Sequence, residues 1–422
     1  MRQPSSSTET IPGEPAPPPS RGSLLVIFLT VFIDLLGFGM VLPLLPIYAE
    51  KFGVDEHGWE IGFLMASFSA MTFIFSPLWG RLSDRIGRRP VLLVGLLGSA
   101  VFYALFGLAT VWQSLAWLFV SRIGAGIAAA TIPTAQAYIA DVTTVSSRAK
   151  GMALIGAAFG LGFTFGPLLG YAALIFARTE SDVATSPWPG FVASGLSACS
   201  FLLAAILLPE SLRPGVSAPR HAVFDLQSWS AALSTPSVGA ILLTSFISVV
   251  SFGAYEVTLS LLLKSPAFGF KLPQILLFFA FIGFTLSLAQ GLLVRRLAGR
   301  ISEVLMASIG AVVTMLGFVL LTAGSQAEHI WLLVAASAVE VTGFSLMTPS
   351  LQALISRRSD PAKQGGILGV SQSTSALARV AGPLIAVPLF FRGPTLPYWT
   401  ALAMMAGALA IFLLWARRGK DY

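Results

Sequence analysis

The chain has 422 residues, of which 55% are hydrophobic and only 11% charged, and its mean hydropathy is +0.81. A soluble domain cannot present that much apolar surface to water, so these proportions exclude a soluble globular protein and point to a polytopic membrane protein. The formal net charge of +7 is spread between apolar runs instead of gathered on one water-facing surface, and no nucleic-acid partner is expected from it.

In chain order, residues 1–22 are rich in Pro, Ser and Thr and lack an apolar core, which predicts a disordered cytoplasmic tail and not a signal peptide. Twelve apolar runs follow, beginning near Leu24, Ile61, Pro90, Val111, Gly151, Trp188, Pro236, Pro273, Ile301, Ile330, Gly365 and Pro397. Each is about 20 to 27 residues long, enough to cross a bilayer as an α-helix. Helices are required, because lipid offers no partner to an open strand edge. The runs divide into a bundle over 23–209, a polar, proline-containing cytoplasmic linker over 210–235 with a short surface helix around Phe224–Leu233, a second bundle over 236–416 and a cytoplasmic tail over 417–422.

Placing both termini in the cytoplasm leaves only Lys51, Arg178, Lys264, Lys271 and Arg392 among the loop cations on the opposite side, so the positive-inside rule sets that orientation. The single Cys199 lies in an apolar run, which excludes an internal disulfide and a cysteine metal site and reads as a small packing residue.

The connection between spans 2 and 3 packs Gly80, Asp84, Arg85, Gly87, Arg88 and Arg89 into ten residues. Asp84 sits among cations at a helix boundary, where it can pair with a local arginine or face a helix N-terminus. In span 5, Gly162, Gly166 and Gly170 recur every four residues and share a helix face, with Gly156 and Gly160 preceding them and Pro167 favouring a bend. That face admits ordinary tight packing or a dry seam between two moving bundles.

The chain is also written twice. Pro133, Gln136, Ala137 and Ile139 reappear 216 positions on as Pro349, Gln352, Ala353 and Ile355, and Gly166-Pro167 as Gly382-Pro383. The Gly80–Arg89 loop has a degraded copy at Gly291–Arg300, in which Arg295 stands at the Asp84 position.

These motifs resemble those of the major facilitator superfamily and, within it, the twelve-span drug/proton antiporters that include the tetracycline efflux proteins. The loop pattern G-x-x-x-D-R-x-G-R-R is met by Gly80, Asp84, Arg85, Gly87, Arg88 and Arg89. The stretch Gly156 to Gly170 is similar to the antiporter motif, Asp34 to Pro46 to the first span of the exporters, and Gln364-Gly365 with Gly369, Gly382 and Pro383 to their eleventh. The resemblance implies an all-α integral membrane protein with twelve transmembrane helices in two six-helix bundles, the major facilitator fold, and a ligand site between the bundles. It also implies that Asp84 latches the cytoplasmic side against the start of span 11, around Gln364–Gly369, in the outward-open state.

Five ionisable residues fall inside apolar spans: Asp34, Arg122, Glu256, Glu340 and Arg379. Each is costly there unless paired, neutral or facing water, and such residues are functional candidates by default. In the resembled superfamily spans 1, 4, 7 and 10 surround the cavity, and each of these spans carries one charge here. Counting inward puts Asp34, Arg122 and Glu340 near mid-depth and Glu256 toward the outer side. Asp34 and Glu340 are then the candidate proton-coupling acids, Arg122 a charge that regulates them and Glu256 an auxiliary acid. Structural ion pairing is the alternative, and Arg379 admits either a structural pair or a substrate contact. Phe38, Phe252 and Phe344 are pocket candidates from their neighbourhood to these acids, and Gln136 and Gln352 are neutral hydrogen-bonding candidates.

Enzymatic chemistry finds little support. His57, His221 and His329 sit on different connections, and neither a phosphate-binding G-x-x-x-x-G-K-[ST] nor metal-ligand spacing occurs. The expectation is a monomeric proton-coupled exporter of an amphipathic drug or metabolite in the inner or plasma membrane, partnered only by protons, its small-molecule substrate and lipid, with no cofactor or metal. A symporter or uniporter for a polar nutrient, and a receptor-like protein without flux, are the rival readings.

Overall fold

The computed structural model describes residues 21–53, 57–143, 145–176, 186–212, 230, 232, 236–359 and 364–416. Tail residues 1–20 and 417–422, His221 and most of the linker lie outside the described residues; of the helix expected at Phe224–Leu233 only Ser230 and Ala232 are described, both helical.

Among the described residues twelve helices are long and apolar enough to cross a membrane. They are α1 Ser23–Lys51, α2 Trp59–Ile86, α3 Arg88–Val111, α4 Leu115–Val142, α5 Leu154–Ile175 and α6 Trp188–Leu207, then α7 Ser237–Lys264, α8 Leu272–Leu297, α9 Glu303–Gln326, α10 Ile330–Arg357, α11 Gly366–Arg392 and α12 Leu396–Trp415. No strand occurs among the described residues. Several boundaries follow from capping rather than hydropathy. Ser114 is extended and its side chain accepts from the Trp117 amide, so α4 starts at Leu115 and not near Val111. Ser302 caps α9 through the Leu305 amide, and His329 caps α10 through the Leu332 amide, each at 3.3 Å. Prolines leave their mark as well: α1 passes through a 3-10 turn at Leu42–Leu44, and α4 is interrupted between Ala129 and Ile132, just before Pro133.

The packing repeats itself six helices on. In the first half α1 packs on α5 and α6, α3 on α4 and α6, and α2 on α4. In the second, α7 packs on α11 and α12, α9 on α10 and α12, and α8 on α10. The halves meet where α5 lies against α8 and α2 against α11, two contacts that the repeat exchanges.

Those contacts hold along only part of each helix. On the side away from the arginine-rich loops, a Cβ on Gly62 of α2 would lie 3.3 Å from the Pro383 carbonyl of α11, and one on Gly283 of α8 would lie 2.2 Å from the Phe163 carbonyl of α5. Thr164 and Ser287 hydroxyls meet at 3.1 Å on the same seam. One turn beyond Gly160 and Ser287 toward the arginine-rich side, Gly156 and Gly291 lie on the same helix faces yet have nothing within 4 Å. Gly80 is five turns from Gly62 on one face of α2 and is equally open, as is Gly369 of α11. The apolar core agrees. One cluster takes residues from both halves, including Leu44, Tyr48, Leu64, Leu259, Leu276 and Phe279, whereas toward the arginine-rich side two clusters stand apart, one around Ile27, Leu96 and Tyr138 and one around Ile241, Leu351 and Ile367. A cleft therefore opens between the halves toward the arginine-rich face.

Cys199 corrects an expectation. It is exposed on α6, because Ser197 and Ser200, three residues apart, take the inward face, both fully buried.

Candidate functional site

The first half builds a charged and aromatic cluster on α1 to α6. Asp34, half-buried at the middle of α1, accepts a hydrogen bond from Ser197 Oγ of α6 at 3.3 Å. Tyr103 of α3 lies within electrostatic reach of both Asp34 and Arg122. Gly37, one turn from Asp34, leaves room for the Tyr103 ring. Arg122 is 2% exposed, and its guanidinium carbon lies 4.4 Å from the centroid of Phe68 on α2. A desolvated cation over an aromatic face gains on the order of 2 kcal/mol, which offsets part of its burial. Its Nε has no hydrogen-bond partner. Phe68 in turn packs on Phe38 at 5.0 Å, and Phe38 on Phe163 of α5 at 5.9 Å.

Arg122 is nearer a helix end than the sequence indicated. The later start of α4 moves it about 6 Å toward that end, on the rise of an α-helix.

The second half has a matching set. Glu340 of α10 is fully buried, and neither carboxylate oxygen has a hydrogen-bond partner. Gly317 of α9 makes room for it: a Cβ there would lie 2.6 Å from Glu340 Cα. Tyr255 and Glu256 of α7 are its electrostatic neighbours. Phe252 of α7 stacks on Phe344 of α10 at 4.1 Å and 15°. Glu256 is half-buried and interacts with Arg379 of α11, which is exposed. The structure thus brings Asp34 together with Arg122 through Tyr103, and Glu340 together with Glu256 through Tyr255. No recorded contact among the described residues joins Asp34 to Glu340. Gln136 is half-buried on α4 and Gln352 is exposed on α10, both toward the open side.

Phe68, Tyr103, Phe163, Ser197 and Tyr255 belong to these clusters and were not singled out from sequence. Tyr255 is adjacent to Glu256, and Tyr103 is one of only 7 tyrosines in the chain, so both carried a weak signal.

The glycines of the antiporter-like stretch divide their work. Gly162 and Gly166 press on Leu35, Leu36 and Gly39 of α1, inside the first half. Gly160 faces Ser287 of α8, Gly170 presses on Met40 of α1 and also meets Leu276 of α8, and Gly156 is open. Pro167 lies within the same unbroken helix.

The Gly80–Arg89 stretch, expected as a loop, is helical except at Gly87, and it is tied to its own half. Arg88 pairs with Asp84, donates to Ser83 Oγ at 2.7 Å and reaches Asp141 at the end of α4 at 3.2 Å. The Glu210 carboxylate accepts from the backbone amides of Arg88 and Arg89 at 2.9 and 3.1 Å, capping α3 with a charge that its N-terminus favours. Arg89 donates to the Ala205 carbonyl at 2.6 Å. Arg85 is exposed. Gly87 has φ of +108°, and a Cβ there would lie 2.3 Å from Glu210 Oε2. The second half places an ion pair with its signs exchanged at the equivalent point: Glu303 at the start of α9 meets Arg357 at the end of α10 at 2.7 Å. In this open-clefted arrangement Asp84 is engaged by Arg88, and among the described residues it makes no latch contact to α11.

Two repeated six-helix halves around a cleft, with ionisable groups on the inner helices, define the fold of a secondary membrane transporter. Comparison with known proteins agrees: the family model of the Major Facilitator Superfamily matches residues 27–383, and the chain belongs to that superfamily. It is 32% identical over 403 residues to the class C tetracycline resistance protein of Escherichia coli, covering 94% of this chain and 96% of that one. It is 30% identical to major facilitator superfamily domain-containing protein 10 of Homo sapiens over 94% and 91% of the two chains. The crystal structure described as the human organic anion transporter MFSD10 (TETRAN) superposes with a TM-score of 0.70 at 28% identity, covering 94% of this chain and all of that one.

Proposed function

We propose that the protein is a proton-coupled antiporter that exports an amphipathic drug or metabolite by alternating access. It works as a monomer in the plasma or inner membrane, with both termini and the arginine-rich loops in the cytoplasm. The rocking bodies are residues 23–209 and 236–416, joined by the linker at 210–235. In this reading the cleft receives substrate from the cytoplasm, a proton from outside occupies a cavity carboxylate, and the two are exchanged as the halves rock.

The observation that carries the reading is Glu340, fully buried with both carboxylate oxygens unpartnered. A permanently charged group in that position costs several kcal/mol and would be replaced by an apolar one in a merely structural helix. An acid that gains and loses a proton as access changes has a use for it. Asp34, held by Ser197 and sharing Tyr103 with Arg122, is the corresponding acid of the first half, with Arg122 regulating it and Glu256 assisting Glu340. Export rather than import is favoured by the tetracycline resistance relatives and by the glycine-lined contact of α5 on α8, which limits leak while the halves move.

Proteoliposomes carrying an internal pH dye test this. Tetracycline added on the cytoplasmic-facing side drives protons the opposite way in the native protein, and Asp34→Asn and Glu340→Gln each abolish the signal. Proton movement with the substrate would indicate symport, and binding without any proton movement a receptor.

A further inference from the structure

The mechanism above leaves Arg379 unused. It lies near the middle of α11, where a cation facing lipid would be costly. Its direction follows from its neighbours: Gly382, three residues on, faces Val250, Gly253 and Ala254 of α7, while Pro383, four residues on, faces Gly62 of α2. Arg379 is set between those two directions, one turn closer to the open side. It therefore points at the gap between α2 and α7, just below the level where the halves close.

Three further facts make that gap aqueous and leave the guanidinium available. Arg379 is exposed, and so is Gln372 two turns away on the same face, with the half-buried Ser375 between them. A polar stripe of this kind on a membrane helix faces water, not acyl chains. Among the described residues no hydrogen bond or ion pair within 4.0 Å is recorded for Arg379, although Glu256 is close enough to act on it. The aromatic stack of the half-buried Phe252 and Phe344 stands close by, because Phe252 lies one helical turn from Glu256 on α7.

We propose that Arg379 is the substrate-recognising cation of the cleft and that the transported molecules are amphipathic anions or zwitterions: an acidic group, such as a carboxylate or ionised enol, engages the Arg379 fork while the ring body packs against Phe252 and Phe344. Glu256 acts on the guanidinium through space without an ion pair to it, so the fork is free to take a ligand acid. A planar guanidinium suits bidentate binding of such a group, which a lysine cannot reproduce in geometry. This rests on the transporter reading of the same cleft.

The test uses purified full-length protein in detergent and two dyes that share a xanthene ring, the anion fluorescein and the cation rhodamine 6G, followed by fluorescence anisotropy. The native protein is expected to bind fluorescein, Arg379→Gln to weaken it about tenfold or more, and Arg379→Lys to retain part of the affinity, as the loss of a charge-assisted contact requires. Rhodamine 6G binding by Arg379→Gln should be unchanged or stronger, which also reports that the variant is folded. If Arg379→Gln fails to fold, the Glu256→Gln, Arg379→Gln double variant removes both charges together and should show the same selective loss. Equal fluorescein binding in native and variant protein overturns the proposal. Native protein that binds rhodamine 6G and not fluorescein overturns it while leaving the transporter reading intact, and binding of neither dye contradicts both.

Discussion

Lys264 at the end of α7 and Glu50 near the end of α1 form a 2.7 Å ion pair that ties the two halves together on the side opposite the arginine-rich loops. Both side chains are partly exposed, at 27% and 42%, so the pair contributes only about 0.2–1 kcal/mol. That is small against a core but adequate to bias two conformations of similar energy. Glu50→Gln should shift the population toward a form opened on the side away from the arginine-rich loops by up to about fivefold. Spin labels on the loops after α1 and α7 would read this as a longer distance, and the exchanged pair Glu50→Lys with Lys264→Glu should restore the native distribution.

The glycines of α5 and α8 predict opposite outcomes along one seam. A Cβ on Gly283 would lie 2.2 Å from the Phe163 carbonyl, so Gly283→Leu should pry the closed side apart and lower both yield and transport. Gly291, with open space around it, should accept leucine without loss of yield. If the halves rock, however, Gly291 approaches α5 when the cleft closes, and Gly291→Leu should hold the protein open to the arginine-rich side and stop turnover. Expression level compared with transport rate for the two variants separates these effects.

Gly87 combines a left-handed backbone with a crowded neighbour, Glu210. Gly87→Ala should destabilise the protein by about 1–3 kcal/mol, and Glu210→Ala, which removes the carboxylate over the start of α3, by about 0.5–2 kcal/mol. Thermal unfolding in detergent should show the double variant losing less than the sum, because alanine at both positions relieves the clash.

The span count, the internal repeat and the placement of ionisable residues were legible in the sequence, because each depends on composition along one line of chain. Asp34, Glu340 and Glu256 stand out by being charged where lipid disfavours charge. Their partners did not stand out. Phe68 under Arg122, Ser197 on Asp34 and Gly317 beside Glu340 depend on the rotation of helices that are apolar on most faces, which hydropathy does not report. For the same reason Gly162, Gly166 and Gly170 read as one face with a single partner, whereas Gly162 and Gly166 pack on α1 and Gly170 meets both α1 and α8. The start of α4 was displaced because Ser114, a capping residue inside an apolar context, overrules the hydropathy of Val111 to Ser114.

Glu340→Leu offers a test in which stability and function part. Replacing a buried, unpartnered carboxylate by an apolar side chain removes a desolvation penalty, so the variant should unfold at a higher temperature than the native protein, by an amount equivalent to about 1–3 kcal/mol. Transport coupled to protons should be lost in the same variant. A fall in unfolding temperature would mean that Glu340 holds the bundle together.

The central claim, that Glu340 carries the exchanged proton, is tested most directly by counterflow in proteoliposomes. With Glu340→Gln, tetracycline exchange between two equal pools should continue near the native rate while uptake driven by a pH gradient falls to background. Gradient-driven uptake that survives in Glu340→Gln at the native rate would contradict the account.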